Sequence, residues 1–341
     1  MIRTALLLLA AACLAAAEKP VTIYLYSEYI DPEITKAFTE KTGMPVRIDT
    51  YEAQEEMTAK LQAGGDAQYD VVVATDVVVP ALVALKLLQP IDQKKITHIG
   101  NVDSRFRNAP FDPGNKWSLP YQWGTVGLLY RKDKAPEGQP TWAWVLGDQP
   151  PATFVLMDEM RTMLGVTLRS RGCSMNSHLP AEVRAAAEVL GRAKRSAKCL
   201  GFDGGTGVRN KVMAGDAVVG VAYNGDAVRA MLEDKGLAYA IPREGSNIWV
   251  DNMVIPAKAP NPAGAHAFID YILDAEVGAQ LSNFNRYASP NGAAMAKIRE
   301  EDRKNPAIYP DQETVKNLEY LEDVGIDSRY YDEAWTDLKA K

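Results

Sequence analysis

Residues 21–43 read VTIYLYSEYIDPEITKAFTEKTG. Val21–Tyr26 is an apolar, β-branched and aromatic run, and the spacing predicts a strand. Asp31-Pro32 then opens a helix that Gly43 closes. The same unit recurs. PVRIDTY (45–51) reads as a strand, AQEEMTAKLQAGG (53–65) as a helix ended by glycines, YDVVVAT (69–75) as a continuous apolar strand and DVVVPALVALKLL (76–88) as a helix. Strands without polar alternation, separated by single helices, predict a mainly parallel sheet covered on both faces. Right-handed crossovers then gather the loops that follow the strands along one sheet edge. Past Trp123 a second α/β segment follows, with strands expected at 153–158, 217–223 and 237–242 and helices at 159–172, 180–197 and 225–236. An extended segment NIWVDNMVIP (247–256) precedes further helices at 261–274, 275–284, 311–323 and 328–341. There is no low-complexity linker, so the chain is expected to cross between two lobes more than once.

The first residues, MIRTALLLLAAACLAAAEKP, read as a secretory signal peptide spanning 1–17, with Arg3 before an apolar run and small residues before Glu18. Lipoprotein anchoring at Cys13 is the lesser reading, since AAAC lacks the leucine usual three residues before such a cysteine. Without Arg3 the chain holds 37 basic and 44 acidic residues, a net of −7. That balance argues against nucleic acid and suits a cationic ligand. Export would leave Cys173 and Cys199 in an oxidising compartment, where a disulfide between them is expected, with two free thiols as the alternative.

Ligands of open α/β sheets bind beyond the carboxyl ends of the strands. Those ends carry Tyr26, Ser27, Glu28 and Tyr29; Thr75 and Asp76; Asp158 and Glu159; Tyr223, Asn224 and Asp226; and Trp249 with Asp251. Aromatic faces attract ammonium groups and carboxylates accept their N–H bonds, so the set suits an organic cation. Ser27, Thr75, Asp158 and Asp226 also stand where helix N-caps are expected, which is a structural explanation for each. Catalytic readings find no support. His98, His178 and His266 are scattered, and neither a GxSxG elbow nor a P-loop is present. DGGTG (203–207) reads as a plain turn. No metal and no cofactor are expected.

With these residues in view, the sequence resembles the periplasmic substrate-binding proteins of polyamine ABC transporters, the putrescine- and spermidine-binding group. The likeness runs through YLYSEYI (24–30), YDVVVATD (69–76), PFDPGNKWSLPYQWGTVGLLY (110–130), YNGDAV (223–228), NIWVDNMVIPAKAPN (247–261), NRYASPN (285–291) and YPDQETVKNLEYLEDVG (309–325). It implies a two-lobe α/β periplasmic-binding-protein fold with the ligand cleft between lobes: an N-terminal lobe of 18–123 plus 252–295 and a C-terminal lobe of 124–251 plus 296–341. It also implies a periplasmic monomer that hands a polyamine to an ABC permease; a sensory subunit signalling to a membrane receptor is the alternative. The ligand-binding residues it implies are Tyr26, Ser27, Glu28, Tyr29, Thr75, Glu159, Tyr223, Asp226, Trp249, Asp251 and Tyr287. Tyr26 and Tyr223 stand where the family usually carries Trp. Val77, Thr162 and Leu321 depart from polar or aromatic positions of spermidine-type members.

Overall fold

The computed structural model describes residues 19–340; the expected leader and Cys13 lie outside them. Eleven strands form among these residues: β1 Val21–Tyr26, β2 Val46–Tyr51, β3 Val71–Thr75, β4 Leu88–Gln89, β5 Ser118–Arg131, β6 Phe154–Met157, β7 Cys199–Asp203, β8 Val219–Tyr223, β9 Leu237–Ala240, β10 Ser246–Pro256 and β11 Leu318–Tyr320. The main path runs β2-β1-β3-β10-β5-β8-β6-β7. Its two ends are parallel, β2-β1-β3 on one side and β8-β6-β7 on the other. Between them β10 and β5 run antiparallel to their neighbours and to each other.

β5 joins the two halves. Its residues Ser118–Thr125 pair with β10, and its residues Val126–Arg131 pair with β8 and β9. One group of buried side chains, including Tyr24, Tyr51, Tyr69 and Val72, belongs to the β1–β3 half. Another, including Trp142, Phe154, Leu164 and Tyr331, belongs to the β6–β8 half. The helix Pro32–Thr42 opens and closes as the sequence requires: the Asp31 carboxylate accepts from the Glu33 amide, and Gly43 takes the left-handed conformation at φ 75°. Among the described residues no helix is long and apolar enough to cross a membrane.

Three expectations are corrected. The segment 311–323 is not one helix. A short helix Gln312–Lys316 gives way to β11, which pairs in parallel with Ser246–Ile248. DGGTG is a strand-to-helix junction, because β7 precedes it and the helix Gly205–Ala214 follows. β7 is only half buried, so it lacks the apolar run by which a strand is recognised. Cys173 and Cys199 are free thiols. Cys173 neighbours Glu182 near the start of the helix Pro180–Arg195, whereas Cys199 neighbours Lys194 near its end. Between those neighbours lie three turns of helix, about 18 Å at 1.5 Å per residue, whereas a disulfide needs Cα atoms within about 7 Å.

A thiol count tests this arrangement: protein lacking residues 1–17, and so Cys13, purified without reductant and then denatured, titrates two accessible thiols. No titratable thiol would restore the disulfide.

Candidate functional site

The junction after β1 is shaped by Glu28, whose φ of 55° lies in the left-handed region. A non-glycine residue there stores about 1–3 kcal/mol, which the surrounding fold must hold in place. The turn leaves Ser27 and Glu28 exposed and sends Tyr29 into the interior. The Tyr29 ring meets Tyr26, Tyr121 and Tyr287 edge-on, with centroids 5.9, 5.3 and 5.7 Å away. Its carbonyl accepts from the Tyr121 hydroxyl at 2.8 Å, and its own hydroxyl donates to Asp251 Oδ2 at 2.5 Å.

Asp251 lies in β10 opposite Thr75 of β3 and Gln122 of β5, and the β5 register shifts between Asp251 and Asn252. Such irregularities re-aim side chains. Its carboxyl is buried; Oδ1 has no hydrogen-bond partner among the described residues. Burial pushes the Asp251 pKa up to about 7, with the Tyr29 hydrogen bond pulling against it. Asp76 sits beside it. The Asp76 amide donates to Val250 O at 2.9 Å, and its carboxylate accepts from Val250 N at 3.2 Å and Val77 N at 2.9 Å. Burial first, and then the neighbouring Asp251 charge, raise the Asp76 pKa well above the carboxylate range.

Aromatic rings enclose this carboxyl. Trp249, two residues before Asp251 and so on the same face of the strand, lies 5.2 Å from Tyr287 and 6.0 Å from Tyr223, edge-on to both. Gly124 faces Trp249 across the ladder, and a Cβ there would run into the indole. Gly225, in the first turn of the helix Asn224–Glu233, likewise leaves room for the Tyr287 ring. Tyr26 is fixed by Gln54, whose Nε2 donates to the Tyr26 hydroxyl at 2.6 Å and to Tyr51 at 2.9 Å. Trp249 Nε1 and Thr75 Oγ1 are buried without protein partners. With Asp251 Oδ1 they make three unsatisfied polar atoms in one place, each costing about 1–3 kcal/mol when left so.

Glu159 precedes the helix Met160–Ser170. Loss of hydration, then the charges of Glu55 and Asp158, raise its pKa to about 7. Solvent still reaches the residue, so the perturbation weighs less than that of the enclosed Asp251. Its charge acts on both Tyr26 and Tyr223, which places it near their hydroxyls.

The sequence candidates therefore divide. Tyr26, Tyr29, Thr75, Glu159, Tyr223, Trp249, Asp251 and Tyr287 come together. Ser27 is turned to Glu52, donating at 2.5 Å. Asp226 is held by Arg229 at 2.7 Å, and Glu28 lies 4.0 Å from the same guanidinium. None of the four expected N-cap side chains caps a helix: Thr75 Oγ1 has no partner, and Asp158 pairs with Lys339 at 2.7 Å. Thr162 and Leu321 are buried, Leu321 in the β6–β8 core. Sequence reasoning missed Gln54, Tyr121 and Arg229. Only Arg229 left a signal there, three residues beyond Asp226 on a helix, the spacing of an ion pair.

The raised Asp251 pKa fixes a pH dependence. Folded, the group ionises near 7; unfolded, near 3.9. Its ionisation therefore opposes folding, by an amount absent below pH 4, growing up to pH 7 and constant above. Asp251→Asn is expected to melt higher than the unaltered protein at pH 8, with the gap closing toward pH 4. A gap independent of pH would disprove the assignment.

A profile of the bacterial extracellular solute-binding proteins matches residues 33–308. The chain is 34% identical over 329 residues to the spermidine/putrescine-binding periplasmic protein of Escherichia coli, covering 96% of this chain and 94% of that one. It is 32% identical to a putrescine/agmatine-binding protein of Pseudomonas aeruginosa, covering 95% and 93%. Among solved structures it is similar to the spermidine/putrescine ABC transporter substrate-binding protein of Streptococcus pneumoniae, with a TM-score of 0.85, 32% identity and coverage of 95% and 99%.

Proposed function

This chain belongs to the bacterial extracellular solute-binding proteins, and we propose that it binds a linear polyamine, putrescine or spermidine, in the periplasm and delivers it to an ABC permease. The observation that carries this reading is the enclosed carboxyl of Asp251, ringed by aromatic side chains and holding one oxygen without a protein partner. An alkyl-ammonium supplies what that oxygen lacks. Its charge offsets the burial of the carboxylate, its N–H groups donate, and its methylenes lie against ring faces. Tyr26, Trp249, Tyr223 and Tyr287 are the walls, with Asp251 at one end and Glu159 toward the other. The relatives named for spermidine, putrescine and agmatine support the same class of ligand.

The lobes are 18–123 plus 252–295 and 124–251 plus 296–341, closing on the ligand as other periplasmic binding proteins do. The change of partners along β5 between Thr125 and Val126 supports the first crossing. The ligand is carried unchanged; the protein works as a monomer, without nucleic acid or catalysis.

A thermal-shift panel tests this. Putrescine or spermidine raises the melting temperature by linkage, while sugars and anions do not; the reverse pattern would end the amine reading. Asp251→Asn is expected to weaken amine binding about 10- to 100-fold, the worth of a charge-assisted hydrogen bond. Ser27→Ala costs less than about threefold, because its hydroxyl is turned to Glu52 and exposed. Equal losses would mean that the ligand does not engage Asp251.

A further inference from the structure

The carboxylates around the rings are not equally available. Asp226 stands in the first turn of the helix Asn224–Glu233, with Arg229 one turn on and on the same face. Arg229 Nη2 donates to the buried Asp226 at 2.7 Å, and Nη1 lies 4.0 Å from Glu28 on the opposite wall. The Arg229 Nε is buried and has no protein partner. The turn that carries this pair seats Tyr287 against Gly225; Tyr287 in turn touches Trp249 and Tyr29, and Tyr29 holds Asp251. Two aromatic rings, Tyr287 and then Tyr29, therefore connect the turn that carries Arg229 to the Asp251 carboxyl.

We propose that Arg229 determines which amines this protein accepts: by occupying Asp226 it withdraws that carboxylate from the ligand, so a linear diamine is favoured over a triamine. The inference rests on the amine reading above and deepens it. With Asp226 neutralised, the sequence-predicted carboxylates left to a ligand are Asp251 and Glu159, the latter under the charge of Glu55 as well. Two ammonium groups match them. A third ammonium finds the Asp226 carboxylate on the Tyr287 side already paired. Arginine holds its charge across the physiological range, so the restriction does not relax with pH.

Titration calorimetry of putrescine and spermidine against the whole protein tests this. Arg229→Met frees the Asp226 carboxylate and is expected to raise spermidine affinity relative to putrescine by about tenfold, the worth of one charge-assisted contact. Arg229→Lys, which keeps the charge, leaves the ratio nearer that of the unaltered protein. Asp226→Asn combined with Arg229→Met removes the freed carboxylate and returns the ratio to within about threefold of the original. Arg229→Gln serves in place of the Met variant if the latter fails to fold. An unchanged ratio in Arg229→Met and Arg229→Gln, with both amines still bound by the unaltered protein, would overturn this inference and leave the amine reading standing. A gain undiminished in the double variant would overturn it too. Failure of the unaltered protein to bind either amine would overturn the proposed function, and this inference with it.

Discussion

A carboxyl group buried in β10 with no cation beside it is the constraint on which the site depends. Removing a carboxylate from water costs several kcal/mol unless a counter-charge or hydrogen bonds replace the lost hydration. Asp251 receives one such bond, from Tyr29, and its other oxygen receives none from the protein. Asp76 brings no counter-charge, since its own carboxyl is buried and the Asp251 charge raises its pKa further. Asp76 is held in place by Val250 of β10 and by the amide of its own neighbour Val77. What remains is a potential that a proton relieves, as the raised pKa records, and that a bound cation would relieve as well.

The geometry that makes this tolerable comes from rigid strands, not from loops. Trp249 and Asp251 share a strand paired on both sides, to β3 and to β5. Gly124 lets the indole lie close to the β5 backbone, and a residue later β5 turns to its second set of partners. The one strand thus carries both the seat of the aromatic platform and the crossing between halves.

How much of this the sequence disclosed follows from what each element needs. The β-α-β-α alternation from Val21 to Thr75 was legible, because β1 and β3 are largely apolar and the helices between the strands run out at glycines; the last expected helix, 76–88, is only Val79–Ala84, with Leu88 already in β4. β5 was not legible, although it is the longest strand at 14 residues. Its Pro120 and two glycines mask the strand composition, and only its antiparallel neighbours make it extended. β11 hides in a helical pattern because three residues pairing with Ser246–Ile248 leave no periodicity to read. Strand-end residues picked out the aromatic and carboxyl cluster because sheet topology gathers those ends together. They did not reveal which carboxylates are free, since that depends on Arg229 and Glu52 reaching Asp226 and Ser27 through space. The cysteine pairing failed because loop length was weighed without the helix expected at 180–197, which runs between the two thiols.

Tyr26 shows how a single substitution is embedded in its surroundings. The family that this sequence resembles usually has Trp there, and an indole offers only a donor. In this chain the phenol accepts from Gln54 Nε2, the same amide nitrogen donates to Tyr51, and the Gln54 carbonyl takes the Thr75 amide at 3.4 Å. Tyr26 is thereby braced against β2 and the end of β3, with its ring against Tyr29 and Tyr51. A Trp at this position would present N–H to N–H at Gln54 and lose the brace, whatever it added in ring area. The smaller ring is therefore bound up with Gln54 and Thr75, so the selectivity of this wall belongs to the three residues together rather than to the aromatic alone.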